Sequence, residues 1–338
     1  MRARVPPWDA RSSFLGAALH LFAEITFPGW DPVALPLGPV QVRWYGLGYL
    51  GGFLIGGLAL DKLARDRFIA LTKNQVSDLV GWLVAGVLLG GRIGYALFYE
   101  PRMLTHPLEL LRIWEGGLSF HGGLLGVVVS SALFARRRAH SWRRLADALC
   151  LAVPFGIILV RCANFVNGEL YGRVVSGTVP WAMRFPTDSV ARAISPELAA
   201  AGSLHWHDAY AALRAGGGWA ALASEVPLRH PSQLYEALLE GVLIGMVLWS
   251  IYRWRRAWTR RPGAITATFL LLYAAARFAV EFTRQPDAQF ASASNPMGLV
   301  LGPFSMGQVL SLFVALGGAL VLWWPRPVEP ATPTPPPL

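Results

Sequence analysis

Long, nearly uncharged apolar stretches constrain this chain more than any other feature of its sequence. Seven of them reach or approach the roughly 20 residues that a helix needs to cross a bilayer core of about 30 Å. They occupy residues 45–61, 79–98, 117–135, 145–160, 234–252, 263–282 and 303–324. Apolar runs of this length, without polar alternation, predict helices rather than barrel strands. We therefore predict an all-α polytopic membrane protein with about seven transmembrane helices.

The composition excludes several other classes of protein. Of the 338 residues, 54% are hydrophobic and 15% are charged, whereas a typical soluble domain has about 25% charged residues. Such a chain is too apolar for a soluble globule and too poor in charge to be disordered. Its two cysteines, Cys150 and Cys162, have no ligand spacing, which excludes a disulfide scaffold and a zinc motif. We expect no metal and no cofactor.

The distribution of basic residues predicts how the chain crosses the membrane. Loops 62–78, 136–144 and 253–261 hold 14 of the 30 lysines and arginines, although the net charge of the whole chain is +10. Because basic loops stay in the cytoplasm, this pattern explains the charge better than nucleic-acid binding does. The N-terminus is then outside and the C-terminus is inside.

These spans divide the chain into five regions. They are an N-terminal interfacial arm (1–44), helices 1–4 (45–160), an extracytoplasmic head segment (161–233), helices 5–7 (234–324) and a proline-rich cytoplasmic tail (325–338). Within the arm, residues 14–25 place apolar side chains on one helical stripe, which favours a helix lying on the outer membrane surface. A further membrane span there is the alternative.

Glycines recur at four-residue spacing in several of the apolar stretches. Examples are Gly86, Gly90 and Gly94 in the second stretch, and Gly122 and Gly126 in the third. Small residues at this spacing let helices approach closely in lipid. We predict tight helix packing, with room for a lipid tail or a peptide as the alternative.

Polar residues within or beside the apolar stretches are the candidate functional residues, because charges in a membrane are costly. With the predicted topology, all of them fall in one layer below the outer surface. They are Tyr45, Arg92, His121, Arg161, His230, Gln233, Tyr235, Tyr273, Arg277 and Glu281. Arginine binds phosphate through two parallel hydrogen bonds, and histidine can take a proton at neutral pH. The layer therefore predicts chemistry on a phospholipid headgroup.

Structural explanations remain open for three of these residues. Glu281 could neutralise Arg277 from the next turn of a helix, Arg92 could be a packing or snorkelling arginine, and His121 could bind a carbonyl group. Two other functions also remain open. A transporter or flippase of an anionic lipid would spread polar residues along the whole membrane depth, and a polytopic scaffold would leave the arginines in the outer halves of spans 2 and 6 unexplained.

Six motifs resemble those of the prolipoprotein diacylglyceryl transferase family, in the order in which that family carries them. They are WYGL (44–47), GGRIGY (90–95), GLSFHGG (117–123), RCANFVNGELYGR (161–173), HPSQLYE (230–236) and RFAVEFTRQPD (277–287). The resemblance implies a seven-span enzyme of the bacterial inner membrane whose active site faces the outer leaflet. The enzyme would move the diacylglyceryl group of phosphatidylglycerol to the lipobox cysteine of a preprolipoprotein, forming a thioether and releasing glycerol 1-phosphate.

The resemblance also implies roles for individual residues. Arg161 and Arg277 match the headgroup arginines of the family, and Asn164, Glu169 and Gly172 match its signature around the glycerol phosphate. A second set matches polar residues that are essential or near the reaction, namely His121, Tyr45 and Tyr273. We predict His121 as the general base, and Arg92, His230, Gln233 and Glu281 as further substrate-binding residues. The expected partners are phosphatidylglycerol, lipobox signal peptides and the lipid bilayer.

Overall fold

The computed structural model describes residues 25–324, apart from residues 39, 113–115, 178, 203–204, 287–288 and 293. Two predictions fall outside this range. Nearly all of the amphipathic helix predicted over residues 14–25, and the tail 325–338, lie among residues that are not described.

The described chain is mostly helical. Its helices are α1 (Trp44–Arg65), α2 (Lys73–Phe98), α3 (Pro107–Leu110), α4 (Phe120–Arg137), α5 (Trp142–Val166), α6 (Ser189–Ile194), α7 (Pro196–Ala201), α8 (Trp206–Ala215), α9 (Gly218–Ala223), α10 (Ser232–Trp254), α11 (Arg256–Thr259), α12 (Ala264–Val280) and α13 (Met306–Trp323). A 3₁₀ turn spans Pro101–Leu104. Two small antiparallel sheets complete the described part, with strands β1 (Val33–Leu37), β2 (Val40–Arg43), β3 (Leu299–Leu301) and β4 (Phe304–Ser305).

Five of these helices are long and apolar enough to cross a membrane, namely α1, α2, α5, α10 and α13. The predicted class of a mostly helical, multi-pass membrane protein is therefore confirmed. The other two predicted spans correspond to α4, with 18 residues, and α12, with 17. At about 1.5 Å per residue, α12 is about 26 Å long, slightly less than the bilayer core. The count of seven spans stays a prediction.

Contacts divide the chain into two compact units. The first unit contains the described residues up to Gly46, Arg161–Tyr235 and Val280–Val300, and the second contains Leu47–Val160, Glu236–Ala279 and the described residues from Leu301 onward. The boundaries between the units fall within α1, α5, α10, α12 and β3. That residues 161–233 form an extracytoplasmic head stays a prediction.

Aromatic side chains form the core of the first unit. Phe27, Phe185, Trp206 and Tyr210 are almost fully buried. The rings of Phe27 and Phe185 lie 5.0 Å apart, and the hydroxyl of Tyr210 donates a 3.1 Å hydrogen bond to the carbonyl of Phe27. These contacts attach the segment before β1 to helices α6–α9, so the predicted arm and head segment share one hydrophobic core.

The glycine pattern of α2 and α4 produces close helix packing in the second unit. A Cβ atom added at Gly90 would overlap the carbonyl oxygen of Gly122, and one added at Gly126 would overlap the carbonyl oxygen of Gly86. Because only hydrogen fits at these positions, the two backbones lie in direct contact. The predicted tight packing is confirmed for this pair of helices.

Helix α5 holds α10 and α12 within the same unit. A Cβ added at Gly241, in the π-helical segment Ala237–Leu243 of α10, would press against the side chain and backbone of Ile158. The carboxylate of Asp147, which has no exposed surface, accepts hydrogen bonds from the backbone N–H groups of Gly263 (2.7 Å) and Thr266 (2.8 Å). Asp147 thus caps the first turn of α12 from a neighbouring helix.

Candidate active site

Glu169 lies at the centre of a polar cluster just after α5, within the first unit. Its Oε1 atom accepts hydrogen bonds from Nδ2 of Asn164 (2.8 Å) and Nδ2 of Asn167 (3.1 Å). The side-chain amide of Gln233 donates to the backbone carbonyl of Glu169 at 2.5 Å. The structure therefore brings together three of the predicted substrate-binding residues, Asn164, Glu169 and Gln233.

The chain reverses sharply after α5, and this turn places Glu169 beside Asn164. Gly168 and Leu170 both have positive φ angles, of 64° and 58°. The backbone N–H of Glu169 donates to the carbonyl of Asn164 at 3.1 Å. Left-handed conformations close the end of a helix, and such a conformation is uncommon for leucine. The turn thus returns Glu169 to the last turn of the helix that carries Arg161 and Asn164.

Three amide oxygens of this cluster retain unused acceptor capacity. Asn164 is 3% exposed and Gln233 is fully buried. Within the described part of the chain, Oδ1 of Asn164, Oδ1 of Asn167 and Oε1 of Gln233 have no hydrogen-bond partner. Leaving a buried acceptor unpaired costs about 1–3 kcal/mol, and a bound molecule with hydroxyl groups would remove that cost. The cluster therefore fits a polyol better than an apolar ligand.

Three of the six sequence motifs meet at Gly172. Its backbone N–H donates to the carbonyl of His230 (2.8 Å), and the N–H of Arg173 donates to the carbonyl of Thr283 (2.8 Å). A Cβ added at Gly172 would overlap the carbonyl oxygen of Thr283 and press against His230. The glycine is required because three backbone segments approach one another here. Gly172 thus holds the motifs 161–173, 230–236 and 277–287 together.

His230 belongs to a short chain of hydrogen bonds. The indole N–H of Trp181 donates to the hydroxyl of Tyr235 at 2.6 Å, and that hydroxyl lies 3.1 Å from Nδ1 of His230. With its proton directed at Nδ1, the Tyr235 hydroxyl favours the neutral imidazole that carries its hydrogen on Nε2. Burial lowers the pKa of His230, which also favours the neutral ring. Sequence reasoning did not identify Trp181, because nothing in its flanking residues marks it.

A buried ion pair supports the same region from behind. Arg229 forms an ion pair with Asp188, and both side chains are at most 9% exposed. The guanidinium of Arg229 also lies 5.0 Å from the ring centre of Tyr171 and donates to Oε1 of Gln285 at 3.2 Å. This pair was not predicted from the sequence. The one available signal was that Arg229 immediately precedes the 230–236 motif.

The other predicted residues of the first unit are Tyr45, Arg161 and Glu281. Tyr45 is 39% exposed, and Arg161 is half-buried, one turn before Asn164 in α5. Glu281 is 7% exposed, and its Oε2 lies 3.7 Å from Nε of Arg284, three residues further along. These three residues keep their predicted roles as predictions.

Arg92, in the second unit, is used entirely on backbone carbonyl groups. It is 3% exposed, and its five N–H groups donate to the carbonyls of five residues. These are Glu109 (2.6 Å), Leu110 (3.2 Å), Arg112 (3.1 Å), Gly116 (2.5 Å) and Gly117 (3.2 Å). As placed, Arg92 fixes the loop that leads into α4, and its role in substrate binding stays a prediction.

The three remaining predicted residues also lie in the second unit. His121 is exposed in the first turn of α4, where Ser119 caps the helix, and its ring meets that of Phe120 edge to face. Tyr273 and Arg277 are half-buried one turn apart in α12, and Tyr273 stacks on Phe269 with ring centres 5.7 Å apart. That these residues share a layer with the Glu169 cluster stays a prediction.

The described residues offer no ready metal site. Among them, no three histidine, cysteine, aspartate or glutamate side chains lie close enough together to hold a metal ion.

Apolar helices of membrane length and a buried polar cluster at the end of one of them define a multi-pass membrane protein with a polar site. Comparison with known proteins gives the family. The model of the prolipoprotein diacylglyceryl transferase family matches residues 32–324, and the chain belongs to this family. The family that the sequence motifs indicated is confirmed.

Curated relatives support the same conclusion over nearly the whole chain. The phosphatidylglycerol–prolipoprotein diacylglyceryl transferase of Burkholderia thailandensis is 43% identical over 310 residues, which cover 89% of this chain and 96% of the relative. Proteins of the same name from Burkholderia mallei and Burkholderia pseudomallei match with the same identity and coverage.

Proposed function

We propose that this chain transfers the diacylglyceryl group of phosphatidylglycerol to the lipobox cysteine of preprolipoproteins, the first step of bacterial lipoprotein maturation. The observation that carries the proposal is the cluster around Glu169, built from signature residues of the family that the chain belongs to. Its carboxylate and its three unused amide oxygens can accept hydrogen bonds, as a glycerol headgroup requires. The transporter alternative has no observation in its favour.

In the proposed reaction, the cysteine sulfur attacks a carbon of the lipid glycerol. The new C–S bond forms while the C–O bond to phosphate breaks, and the phosphate leaves as glycerol 1-phosphate. The thiol proton goes to a base, for which we propose His121, since a thiol with a pKa of about 8.5 is mostly protonated at neutral pH. No electrons are gained or lost, so the reaction needs no redox partner.

Arg161 and Arg277 neutralise the negative charge that grows on the departing phosphate. Asn164, Glu169, Gln233 and Glu281 orient the glycerol headgroup, and Tyr45, Tyr273 and His230 complete the polar surroundings. Gly172 positions the motifs, as its close backbone contacts require. We assign Arg92 a positioning role, because it holds the loop that leads to His121 through five carbonyl groups.

The proposed membrane arrangement has seven spans, with α4 and α12 added to the five longer helices. The site faces the outer leaflet of the inner membrane, residues 161–233 form the extracytoplasmic head, and the C-terminus lies in the cytoplasm. The basic loops support this orientation. A C-terminal green fluorescent protein fusion should fluoresce and a C-terminal alkaline phosphatase fusion should be inactive; the opposite pair of results would reverse the topology.

The direct test incubates the purified full-length protein with phosphatidylglycerol and a lipobox peptide, and follows the peptide by mass spectrometry. The peptide should gain the mass of one diacylglyceryl group. Arg161→Ala should lower the rate about 10²–10³-fold, as loss of one group that stabilises charge in a transition state does. Arg102→Ala, at an exposed arginine of the 3₁₀ turn, is the control and should keep the full rate. Full activity of Arg161→Ala would contradict the mechanism.

A further inference from the structure

A polar cavity of about 370 Å³ opens beside Glu169 within the first unit. Three arginines from separate parts of the chain line it. Arg43 ends β2, Arg192 lies in α6, and Arg284 follows α12, while Glu169 is the one carboxylate in the lining. Its size falls in the range of small-molecule sites, about 300–1,000 Å³. The charged groups of the lining sum to roughly +2, and Glu281, outside the lining, lies 3.7 Å from Nε of Arg284. The net charge stays positive with Glu281 included, so the cavity is suited to an anion.

The fold fixes the helix that carries Arg192 and one wall of the cavity. Asp188 accepts from the N–H of Val190 (2.9 Å) and so caps α6, the helix that carries Arg192. The same carboxylate pairs with Arg229, whose guanidinium covers the ring of Tyr171 in the cavity wall. A buried ion pair therefore fixes both the helix and the wall, which pre-organises the cavity for its ligand.

Arg192 has a donor that the described part of the protein does not use. Its Nε atom is buried and lacks a hydrogen-bond partner there. A buried donor of this kind costs free energy until an acceptor reaches it. An anionic oxygen is the strongest acceptor available, since charge-assisted hydrogen bonds are about twice as strong as neutral ones.

Glu169 adds a second requirement to the ligand. It lines the cavity, and its Oε1 already accepts from Asn164 and Asn167, so the carboxylate is fixed in place. A carboxylate accepts hydrogen bonds from hydroxyl groups but repels a phosphate. A ligand that satisfies both the arginines and Glu169 carries a phosphate together with hydroxyl groups. A phosphate monoester has a charge of about −1.5 to −2 at pH 7, which balances the lining.

We propose that this cavity binds a small polyol phosphate monoester, the leaving group of the transfer, after the C–O bond has broken. The inference rests on the proposed function and adds to it a site for the released product. Arg43, Arg192 and Arg284 bind the phosphate, while Glu169 accepts from the hydroxyl groups. The higher charge of the monoester distinguishes it from the phosphodiester of the intact lipid headgroup, which has a charge of −1.

The test measures binding to the full-length protein in detergent by calorimetry, without lipid substrate. Three probes are compared, namely glycerol 1-phosphate, the phosphodiester glycerophosphoglycerol and inorganic phosphate. The monoester should bind most tightly. Arg192→Gln and, independently, Arg43→Gln should each weaken its binding about tenfold or more, since each removes a hydrogen bond to a charged group. Arg192→Lys should retain part of the affinity.

Arg214→Gln is the matched control, because Arg214 lies on α8 in the same unit but outside the cavity lining. It should bind the monoester as the wild type does. Equal binding of the monoester and the phosphodiester would overturn the proposal, as would unchanged affinity in both cavity variants or no binding by the wild type. If one variant fails to fold, the other still tests the proposal, because Arg43 and Arg192 lie on different elements. The comparison of the three probes needs only the wild type.

Product formation separates this inference from the proposed function. If the wild type forms the thioether but does not bind glycerol 1-phosphate, only the product site is wrong. If the wild type forms no thioether, the proposed function itself is wrong.

Discussion

Asn164 donates a 2.8 Å hydrogen bond from Nδ2 to Oε1 of Glu169, and this contact joins the last turn of α5 to the loop that follows it. Asn167 donates to the same oxygen at 3.1 Å from a less buried position. The two asparagines thus offer a matched pair of positions that differ mainly in burial.

Asn164→Asp should abolish most of the activity, because it removes a hydrogen-bond donor and places a second carboxylate beside Glu169, at a position that is 3% exposed. Two neighbouring carboxylates repel each other, and burial of the one at position 164 raises the free energy needed to keep both ionised. We expect at least about a 100-fold lower rate of transfer at pH 7, and a smaller loss for Asn167→Asp. The rate is measured by mass spectrometry of the lipobox peptide. Equal losses in the two variants would show that burial does not govern this contact.

Arg92→Lys should loosen the loop before α4. Lysine offers three donors, so at least two of the five carbonyl groups that Arg92 binds lose their partner. We expect the free energy of unfolding to fall by about 2 kcal/mol or more, and hydrogen exchange to become faster in residues 109–112 and 116–117. Arg102→Lys, at an exposed position nearby, should change neither measurement. Unchanged exchange in Arg92→Lys would contradict the positioning role.

Gly126→Ala should destabilise the packing of α2 against α4. Its methyl group would overlap the carbonyl oxygen of Gly86, and backbone cannot move aside as a flexible side chain can. We expect the free energy of unfolding to fall by about 1–3 kcal/mol, which is typical of overpacking. The measurement is the melting temperature in detergent, which should be lower than that of the wild type. Gly81→Ala, in α2 with no neighbouring atom within 4 Å, should be neutral or stabilising. The same loss in both variants would show that the effect is not steric.

Asp147→Asn should weaken the start of α12. The carboxylate accepts three hydrogen bonds, from the N–H of Gly263 and from the N–H and hydroxyl of Thr266. The NH2 group of the asparagine side chain would face at least one of these three donors. We therefore expect the free energy of unfolding to fall by about 2–3 kcal/mol. Asp78→Asn removes an exposed ion pair with Arg138 and should cost at most about 1 kcal/mol. The thermal stabilities of the two variants, compared with the wild type, decide the prediction.

His230 should make stability fall as the pH is lowered. Burial lowers its pKa, so below about pH 6.5 the unfolded chain binds more protons than the folded chain at this site. The stability that His230 contributes is therefore complete above pH 6.5 and is lost as the pH falls through the lower pKa of the folded state.

The measurement is the melting temperature between pH 5 and pH 8. His230→Asn keeps an acceptor for Tyr235 without a titrating ring, so the melting temperature of this variant should depend less on pH. Burial also lowers the pKa of His140, which contributes the same trend in both proteins. The test of His230 is therefore the difference between the wild type and His230→Asn. If the melting temperature changes with pH equally in both, His230 does not have this role.

The sequence alone determined the membrane class, the family and the packing of α2 on α4. Hydropathy and glycine spacing are periodic along the chain, and a helix converts that periodicity directly into a face. The motifs likewise named Asn164, Glu169 and Gln233 before their contacts were known. The sequence did not decide the count of seven spans, because α12 has 17 residues and is close to the shortest helix that can cross a bilayer core.

Only the tertiary structure decided what Arg92, Gly172 and Arg192 contact. Arg92 binds carbonyl groups 17–25 positions away, and Gly172 is required because the backbones of His230 and Thr283 pass beside it. Every residue carries a carbonyl group, so a partner of this kind leaves no trace in residue type or spacing. The cavity that joins Arg43, Arg192 and Arg284 depends on segments far apart in the chain, and only folding brings such segments to one place.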